Sequence, residues 1–415
     1  MNSNQTLAMD SNITYPSREL FEKLIDGKET SLFILRNNKN TVQAAVTNYG
    51  GRLVCLWVPD KNGKIIDILE GFDNIVQYTE GADNYFGAII GRYGNRIANA
   101  RFILDGKEYK LNANNYPNNL HGGNRGLSRR VWNATQTAYN TLELTYFSPD
   151  GEESFPGNLN IKVIYTLTDA NELNIQYEAT TDKKTVINLT NHAYFNLNGQ
   201  GSGSILNHQL WINADYYTPI DSYLIPKGEK HESVLNTPFD FRNMTKISEG
   251  IKEETNNEQL ISGKGYDHNF VLNNKGHVAS VIGDLYGIQM DIYSTEPGLQ
   301  FYSGNFLNGS NRVKNDKRDN YRTSFCLETQ HFPDSPNRSS FPSVILRPEE
   351  IYKTNTIYKF SVKDDLNNAA ITYSSLYYGK NTQSILLLLF CFFAATVFAR
   401  EDKDILLFIV SQDFS

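Results

Sequence analysis

The sequence predicts a mainly β protein, a large antiparallel β-sandwich with few short helices. Two observations predict it. Across residues 31–362, short runs alternate apolar and polar side chains with a period of two, and glycine, asparagine, aspartate and proline break these runs at frequent intervals. The chain of 415 residues has 40% hydrophobic side chains, enough for a packed core. Because no linker or fixed repeat interrupts the pattern, we expect one domain over residues 31–365.

The clearest predicted strands come in neighbouring pairs. Residues 41–46 and 52–58 flank a turn-forming Asn-Tyr-Gly-Gly stretch, and residues 160–168 and 172–179 flank an Asp-Ala-Asn stretch. In residues 102–110 an Asp-Gly pair separates two short β-like arms. That pair is typical of a two-residue hairpin turn, so we predict a hairpin there.

A single clear helix is predicted, at residues 17–25. Ser17 is a suitable N-cap, and Leu20, Phe21 and Leu24 would share one face. We assign residues 1–30 to a polar N-terminal extension that carries this helix.

The end of the chain differs from the rest. Within residues 366–415, an apolar segment at 385–399 is followed at once by charged residues. It is shorter than the roughly 20 residues that a membrane-spanning helix usually needs. Its layout is that of a secretory signal in the wrong place. We interpret the tail as foreign to the domain. The alternative is a membrane anchor, and a membrane partner is expected only if this segment is genuine.

The composition argues against some classes of function. The net charge of −7 and the lack of a basic run argue against nucleic-acid binding and favour a small-molecule partner. The three cysteines, Cys55, Cys326 and Cys391, are far apart, which predicts neither a disulfide framework nor a zinc cage. With a polar N-terminus that lacks an apolar signal core, this favours a reducing, cytoplasmic location.

Several residues could carry chemistry. Glu328 lies in a strand-like run, residues 325–331, just before a turn-rich loop, where enzymes often hold an acid or base. By itself, a carboxylate in such a run is more often an ordinary exposed strand residue. His121, His192 and His268 lie in turn-bounded positions, and a lone histidine is more often structural. His121 adjoins a glycine pair that could let a ligand approach the backbone.

A glycine-rich stretch at residues 86–97 contains neither dinucleotide nor P-loop fingerprints. Asn95 and Arg96 within it are suited to donate hydrogen bonds to a neutral polyol. The alternative is a structural turn in which Arg96 forms a salt bridge.

Together these pieces resemble the aldose 1-epimerases, also called galactose mutarotases, over roughly residues 48–362. The matching motifs, in the order of that family, are GRYGNRI at 91–97, NLHGG at 119–123, SPDGEE at 148–153 with FPG at 155–157, NLTNHAYFNL at 188–197, YDH at 266–268, PGLQFYSGN at 297–305 and CLETQ at 326–330. Any one motif would be weak evidence, whereas seven in order are specific.

The resemblance implies an enzyme that interconverts the α and β anomers of free hexoses such as galactose and glucose. It implies that Glu328 is the catalytic base, His192 the acid and His121 a second active-site histidine. The residues it implies for holding sugar hydroxyls are Asn95, Arg96, Tyr194, Asp267 and Gln300. It also implies a β-sandwich and no metal or organic cofactor.

The chemistry agrees with these roles, since ring opening needs a base at the anomeric hydroxyl and an acid at the ring oxygen. Free glutamate and histidine titrate near about 4.3 and about 6.5. We expect an acidic neighbour, Glu328 or Asp267, to favour the protonated ring of His192, and a bell-shaped pH profile with limbs within or near pH ~5 to ~9. Two alternatives remain. One is a hexose-6-phosphate mutarotase with rim residues among Arg92, Arg125, Arg129 and Arg130, and the other is a non-catalytic sugar-binding protein.

Overall fold

The structure is a computed structural model that describes residues 13–81 and 85–363. Every described residue belongs to one compact unit, which ends at Lys363. The predictions for the tail, including segment 385–399, therefore lie outside the described residues. Within the described ranges, no helix combines the length and the apolar character needed to cross a bilayer.

The largest sheet has nine strands, all paired antiparallel. In spatial order they are Asn133–Ala138, Thr141–Ser148, Leu159–Leu167, Glu172–Thr181, Tyr352–Val362, Ile288–Ser294, Gly276–Ile282, Gln209–Ile212 and Thr245–Lys246. The predicted strands at 160–168 and 172–179 are adjacent here and are confirmed. Along Leu159–Leu167 every second residue is buried, the alternation expected of a strand with one face on the core.

Two smaller sheets pack around the same core. A five-stranded sheet contains Glu232–Ser233, Ala214–Tyr217, Asp267–Leu272, Gly298–Tyr302 and Cys326–Gln330, and a four-stranded sheet contains Leu32–Arg36, Gln43–Thr47, Arg52–Pro59 and Ile65–Asp67. Side chains of all three sheets meet in one hydrophobic cluster, for example Val163, Leu327 and Leu56. The mainly β, sandwich-like class with few short helices is confirmed.

Short hairpins and turns complete the described part. Two-stranded pairs join Leu24–Ile25 to Lys28–Glu29, Ala88–Ile90 to Thr190–His192, Arg96–Ile97 to Asn119–Leu120, Arg101–Leu104 to Lys107–Lys110, Thr185–Val186 to Ile345–Leu346, and Arg312–Val313 to Lys317–Arg318. The α-helices are Ile75–Glu80, Ile247–Ile251 and Glu258–Gly263, and the 3-10 helices are Arg18–Phe21, Ala98–Ala100, Leu127–Arg129, Glu152–Ser154, Lys314–Asp316 and Ser335–Asn337.

The predicted hairpin at 102–110 is confirmed. Leu104 pairs with Lys107, and Asp105 and Gly106 between them both adopt positive φ, 50° and 76°. Positive φ at both central residues is the geometry of the primed turn that Asp-Gly favours.

The predicted helix at 17–25 is wrong in length. Only Arg18–Phe21 forms a 3-10 turn, Ser17 makes no side-chain cap, and Leu24 lies in a strand with 69% of its surface exposed. The chain leaves the helix because Asp26 and Gly27 adopt positive φ and turn Leu24–Ile25 back onto Lys28–Glu29. Phe21 alone of the three predicted apolar side chains is buried.

Candidate active site

One cavity of about 530 Å³ gathers most of the predicted site residues. Seven of the eight line it: Asn95, Arg96, His121, His192, Tyr194, Asp267 and Glu328. They come from separate stretches of the chain. A bridge between Phe195 and Phe325 ties the segment after His192 to the start of the strand that carries Glu328. The pairing of short strands thus brings the two residues together.

Glu328 is buried in the middle of the strand Cys326–Gln330, opposite Gln300. The alternative of an exposed strand residue is therefore excluded. Its Oε1 lies 3.5 Å from Nε2 of His192, and no described residue donates a hydrogen bond to its Oε2. Burial raises the pKa of Glu328 well above its ordinary value, the nearby Asp267 raises it further, and Arg96 lowers it.

His192 ends the short strand Thr190–His192 and has aromatic neighbours. Its ring is stacked with Tyr194 and with Tyr85, at centroid distances of 4.9 and 5.7 Å. Its Nδ1 lies 3.4 Å from the Sγ of Cys326. Burial lowers the pKa of His192 to about 3, against a smaller opposing contribution from a hydrogen bond to its own backbone.

The expectation that an acidic neighbour favours the protonated ring of His192 is thus wrong. Removal of the charged ring from water lowers the pKa of His192, and no nearby carboxyl group offsets this effect. The opposite shifts of His192 and Glu328 also move the expected limbs of the pH profile apart. Between those limbs the pair holds one proton and no net charge.

His121 has a different hydrogen-bonding environment. The backbone N–H of Asn95 donates to its Nδ1 at 3.1 Å, so the proton of the neutral ring is on Nε2. Burial, and then His192, lower the pKa of His121 well below its ordinary value. His121 is therefore a neutral hydrogen-bond donor facing the ring of His192, 5.1 Å away between centroids.

The glycines after His121 serve packing rather than ligand approach. Gly122 has a φ of 85°, and a Cβ there would lie 2.0 Å from the carbonyl oxygen of Gly91. Neither Gly122 nor Gly123 lines the cavity. The glycine pair that was expected to let a ligand approach the backbone is therefore not part of the cavity wall.

A polar network supports one wall of the cavity. Gln300 donates to Asp267 Oδ1 at 2.7 Å, and the guanidinium of Arg96 lies 3.8 Å from Asp267 Oδ2. Arg96 also donates to Asn115 at 3.1 Å. The salt bridge considered as an alternative for Arg96 therefore exists in addition to its place in the cavity wall. Gln300 is the predicted site residue that does not line the cavity, because it lies behind Asp267.

His268 is a structural residue. It alternates with Asp267 along the strand Asp267–Leu272, so the two side chains face opposite ways. Its ring is fully buried and packs against Phe239 and Tyr217.

Two residues at the site were not predicted from the sequence, Tyr85 and Cys326. Cys326 is in the CLETQ motif, but only the fold shows its contact with a residue 134 positions away.

His121, His192 and Glu328 could also offer ligand atoms to a metal ion, since these atoms lie within 4.8 Å of one another. Two imidazoles and one carboxylate suit zinc. The absence of a required metal stays a prediction.

Comparison with known proteins agrees with this geometry. The family model "Aldose 1-epimerase" matches residues 32–359. The chain belongs to the aldose 1-epimerase family. Galactose mutarotase from Bos taurus is 43% identical over 76% of this chain and 90% of its own length. Aldose 1-epimerase from Escherichia coli K12 is 38% identical over 81% of this chain and 96% of its own length.

Solved structures agree as well. The GalM/aldose epimerase homologue from C. elegans superposes with a TM-score of 0.75 at 30% identity, covering 81% of this chain and all of its own. Galactose 1-epimerase from Lactobacillus acidophilus gives a TM-score of 0.72 at 27% identity, covering 82% of this chain and 97% of its own. The protein is an aldose 1-epimerase, an isomerase that acts on sugars.

Proposed function

We propose that this aldose 1-epimerase interconverts the anomers of a free hexose, galactose or glucose, with Glu328 as the base and His192 as the acid. The observation that carries the proposal is the 3.5 Å approach of Glu328 Oε1 to His192 Nε2 in the wall of the cavity. An acid and a base this close together can act on the anomeric hydroxyl and the ring oxygen of the same sugar. The galactose mutarotase relatives support galactose as a substrate.

The single proton of the pair determines which form is active. Burial raises the pKa of Glu328 and lowers that of His192, which favours a protonated Glu328 and a neutral His192. Transfer of that proton to Nε2 creates the carboxylate and imidazolium that the reaction needs. A bound sugar favours the transfer, because its anomeric O–H donates to a carboxylate and its ring oxygen accepts from Nε2–H.

Ring opening then follows from the geometry. Glu328 removes the proton of the anomeric hydroxyl while His192 gives its proton to the ring oxygen, and the C1–O5 bond breaks. Rotation about C1–C2 turns the aldehyde over. Reclosure on the other face reverses both proton transfers, so the enzyme returns to its starting state.

The remaining residues hold the sugar. Asp267 accepts hydrogen bonds from hydroxyls, its carboxylate fixed by Gln300. Arg96, Asn95 and the Nε2–H of His121 donate, and Tyr194 offers an aromatic surface to the apolar sugar face. In this proposal Gln300 acts through Asp267 rather than on the sugar.

The charges at the cavity support a neutral sugar over a sugar phosphate. Arg96 is the one arginine or lysine among the described residues of the lining. The candidates for phosphate binding are used elsewhere: Arg92 is buried and donates to the carbonyls of Pro156 and Gly157, while Arg125 and Arg130 pair with Asp26 and Glu152. Arg129 does not line the cavity.

We also propose a catalytic domain over residues 31–365 and a cytoplasmic location. The family match over residues 32–359 supports the first. For the second, Cys55 and Cys326 are buried and neither forms a disulfide.

Polarimetry of freshly dissolved α-galactose and α-glucose tests the function. We expect the recombinant protein to speed the approach to the equilibrium rotation, and to act far less on glucose 6-phosphate. Equal or faster turnover of the phosphorylated sugar would contradict the proposed substrate class.

A further inference from the structure

One strand reaches both nitrogens of a single imidazole. Cys326 and Glu328 are alternate residues of the strand Cys326–Gln330, so their side chains lie on the same face. The Sγ of Cys326 is 3.4 Å from Nδ1 of His192, and Oε1 of Glu328 is 3.5 Å from its Nε2. All three side chains are buried. The thiol therefore lies where it can decide which nitrogen carries the proton of the neutral ring.

The two possible tautomers have different consequences. A neutral imidazole carries one N–H, and its other nitrogen is an acceptor. With the proton on Nδ1, the lone pair of Nε2 faces the protonated Glu328 and can take its proton. With the proton on Nε2, that nitrogen can only donate to Glu328 and cannot take its proton. A ring with its proton on Nδ1 therefore needs an acceptor beside that nitrogen, and the sulfur of Cys326, a weak acceptor, can serve together with the backbone of His192 itself.

We propose that Cys326 is a positioning residue: its sulfur accepts a hydrogen bond from Nδ1–H of His192 and so keeps Nε2 as the nitrogen that exchanges a proton with Glu328 and the sugar. The inference rests on the roles proposed above for Glu328 and His192. The same N–H serves the neutral and the charged ring, so the sulfur contact is kept through the whole cycle.

The second histidine provides an internal contrast. At His121 the neighbour of Nδ1 is a donor, the backbone N–H of Asn95, which leaves the proton on Nε2. At His192 the neighbour is a sulfur that can accept. The two rings thus present different nitrogens to the cavity, a donor at His121 and a proton-exchanging nitrogen at His192.

The direct test is ¹⁵N NMR of the histidine rings in the full-length protein at pH 7. We expect His192 to show a protonated Nδ1 and an unprotonated Nε2, and His121 the reverse. Assignment uses the loss of one ring signal set in His192→Gln and in His121→Gln. A His192 ring with its proton on Nε2 would overturn the proposal, because the sulfur would then act as a donor.

Kinetics of two variants add a functional readout. Cys326→Ala removes the acceptor, and we expect kcat to fall by about tenfold with little change in KM, the size of one lost neutral hydrogen bond. Cys326→Ser supplies a hydroxyl oxygen in nearly the same place and should restore most of kcat together with the Nδ1–H signal. Equal kcat in wild type and Cys326→Ala would overturn the proposal, as would a serine variant no better than the alanine variant.

Cys55→Ala is the matched control. Among the described residues, Cys55 carries the other buried thiol, and it does not line the cavity. Its removal should leave kcat and the His192 signals unchanged. If Cys326→Ala fails to fold, the wild-type spectrum and the serine variant still decide the question. Failure of the proposed function itself would be distinct, since Glu328→Gln would then retain activity whatever the tautomer of His192.

Discussion

Two polar clusters in this protein contain similar groups but differ in their hydrogen bonding and in their charge. Each combines a carboxylate, a nitrogen group and a cysteine. In the first, Lys314 donates to the carbonyl oxygen of Val54 and to Asp67, both at 2.6 Å, with Cys55 Sγ at 3.4 Å. In the second, Glu328 and His192 approach only to 3.5 Å, and no described residue donates a hydrogen bond to Glu328 Oε2.

The difference lies in whether the buried groups already have their partners. Burial lowers the pKa of Lys314, but Asp67 and other neighbours raise it more, so the ion pair is stable without a ligand. The pair that we propose as catalytic, Glu328 and His192, instead favours a neutral form and keeps open hydrogen-bonding capacity. A sugar can supply those hydrogen bonds, whereas the Lys314 cluster already has its partners.

The largest expected effect is on the catalytic cluster. Glu328→Gln removes the base but keeps the shape, so we expect kcat to fall by about 10³-fold with sugar affinity little changed. Polarimetry measures the first and calorimetric titration the second. Glu178→Gln, a strand carboxylate paired with Lys162 away from the cavity, is the control. Near-normal kcat in Glu328→Gln would show that another group is the base.

The structural cluster should respond in stability instead. Lys314→Met leaves the half-buried Asp67 without its cation and should cost about 2 kcal/mol of unfolding free energy, with kcat of the folded protein unchanged. Denaturant titration measures this loss. Lys246→Met, at an exposed site, should cost far less. A stable Lys314→Met variant would mean that the two clusters differ less than proposed.

Asp267 should behave as a binding residue rather than as part of the acid/base pair. In Asp267→Asn the charged acceptor is lost, and we expect KM to rise by about tenfold with a smaller change in kcat. Asp215→Asn, on an exposed residue beside Arg242, serves as the control. A fall in kcat as large as that of Glu328→Gln would place Asp267 in the chemical step.

The pH profile should be broad. His192, with a pKa lowered to about 3, gains a proton only as pH falls toward that value, and Glu328, with a raised pKa, loses its proton only well above the ordinary carboxyl range. The one-proton form of the pair persists between these limits, so kcat/KM should be nearly flat between pH ~5 and ~7. Stopped polarimetric rates at each pH measure this. An acid limb near the ordinary histidine value would contradict the burial effect.

The smallest expected effect is that of chelation. Dialysis against EDTA should leave kcat unchanged, because the roles proposed for Glu328 and His192 account for both proton transfers without a metal. Loss of activity that added zinc restores would mean that His121, His192 and Glu328 act as metal ligands.

Local sequence patterns predicted much of the fold. Period-two alternation gave correct strands such as Leu159–Leu167, and Asp105-Gly106 gave a correct hairpin, because these signals depend on near neighbours. The helix predicted at 17–25 is wrong because Asp26 and Gly27 form a turn that reverses the chain, and the helical periodicity of this segment is weak. The nine-strand order depends on long-range pairing, which alternation does not encode.

The residues of the candidate site were predicted from family motifs more than from the physical properties of single residues. The resemblance supplied Glu328 and His192, which the structure brings together, but it could not show that Gln300 lies behind Asp267. It also gave no sign of the Cys326 contact, which depends on strand pairing between distant segments. The direction of the pKa shifts likewise depends on burial, a property of the assembled cavity.

The alternation of the strand Cys326–Gln330 constrains how this enzyme can change. Cys326 and Glu328 face the imidazole, whereas Leu327 lies in the hydrophobic core and Thr329 contacts Thr356 of the nine-stranded sheet. A slip of one residue would put a carboxylate into the core and a leucine against the sugar. Insertion or deletion of a single residue in this strand should therefore abolish both folding and activity. Substitutions that keep the register can change one face of the strand without changing the other.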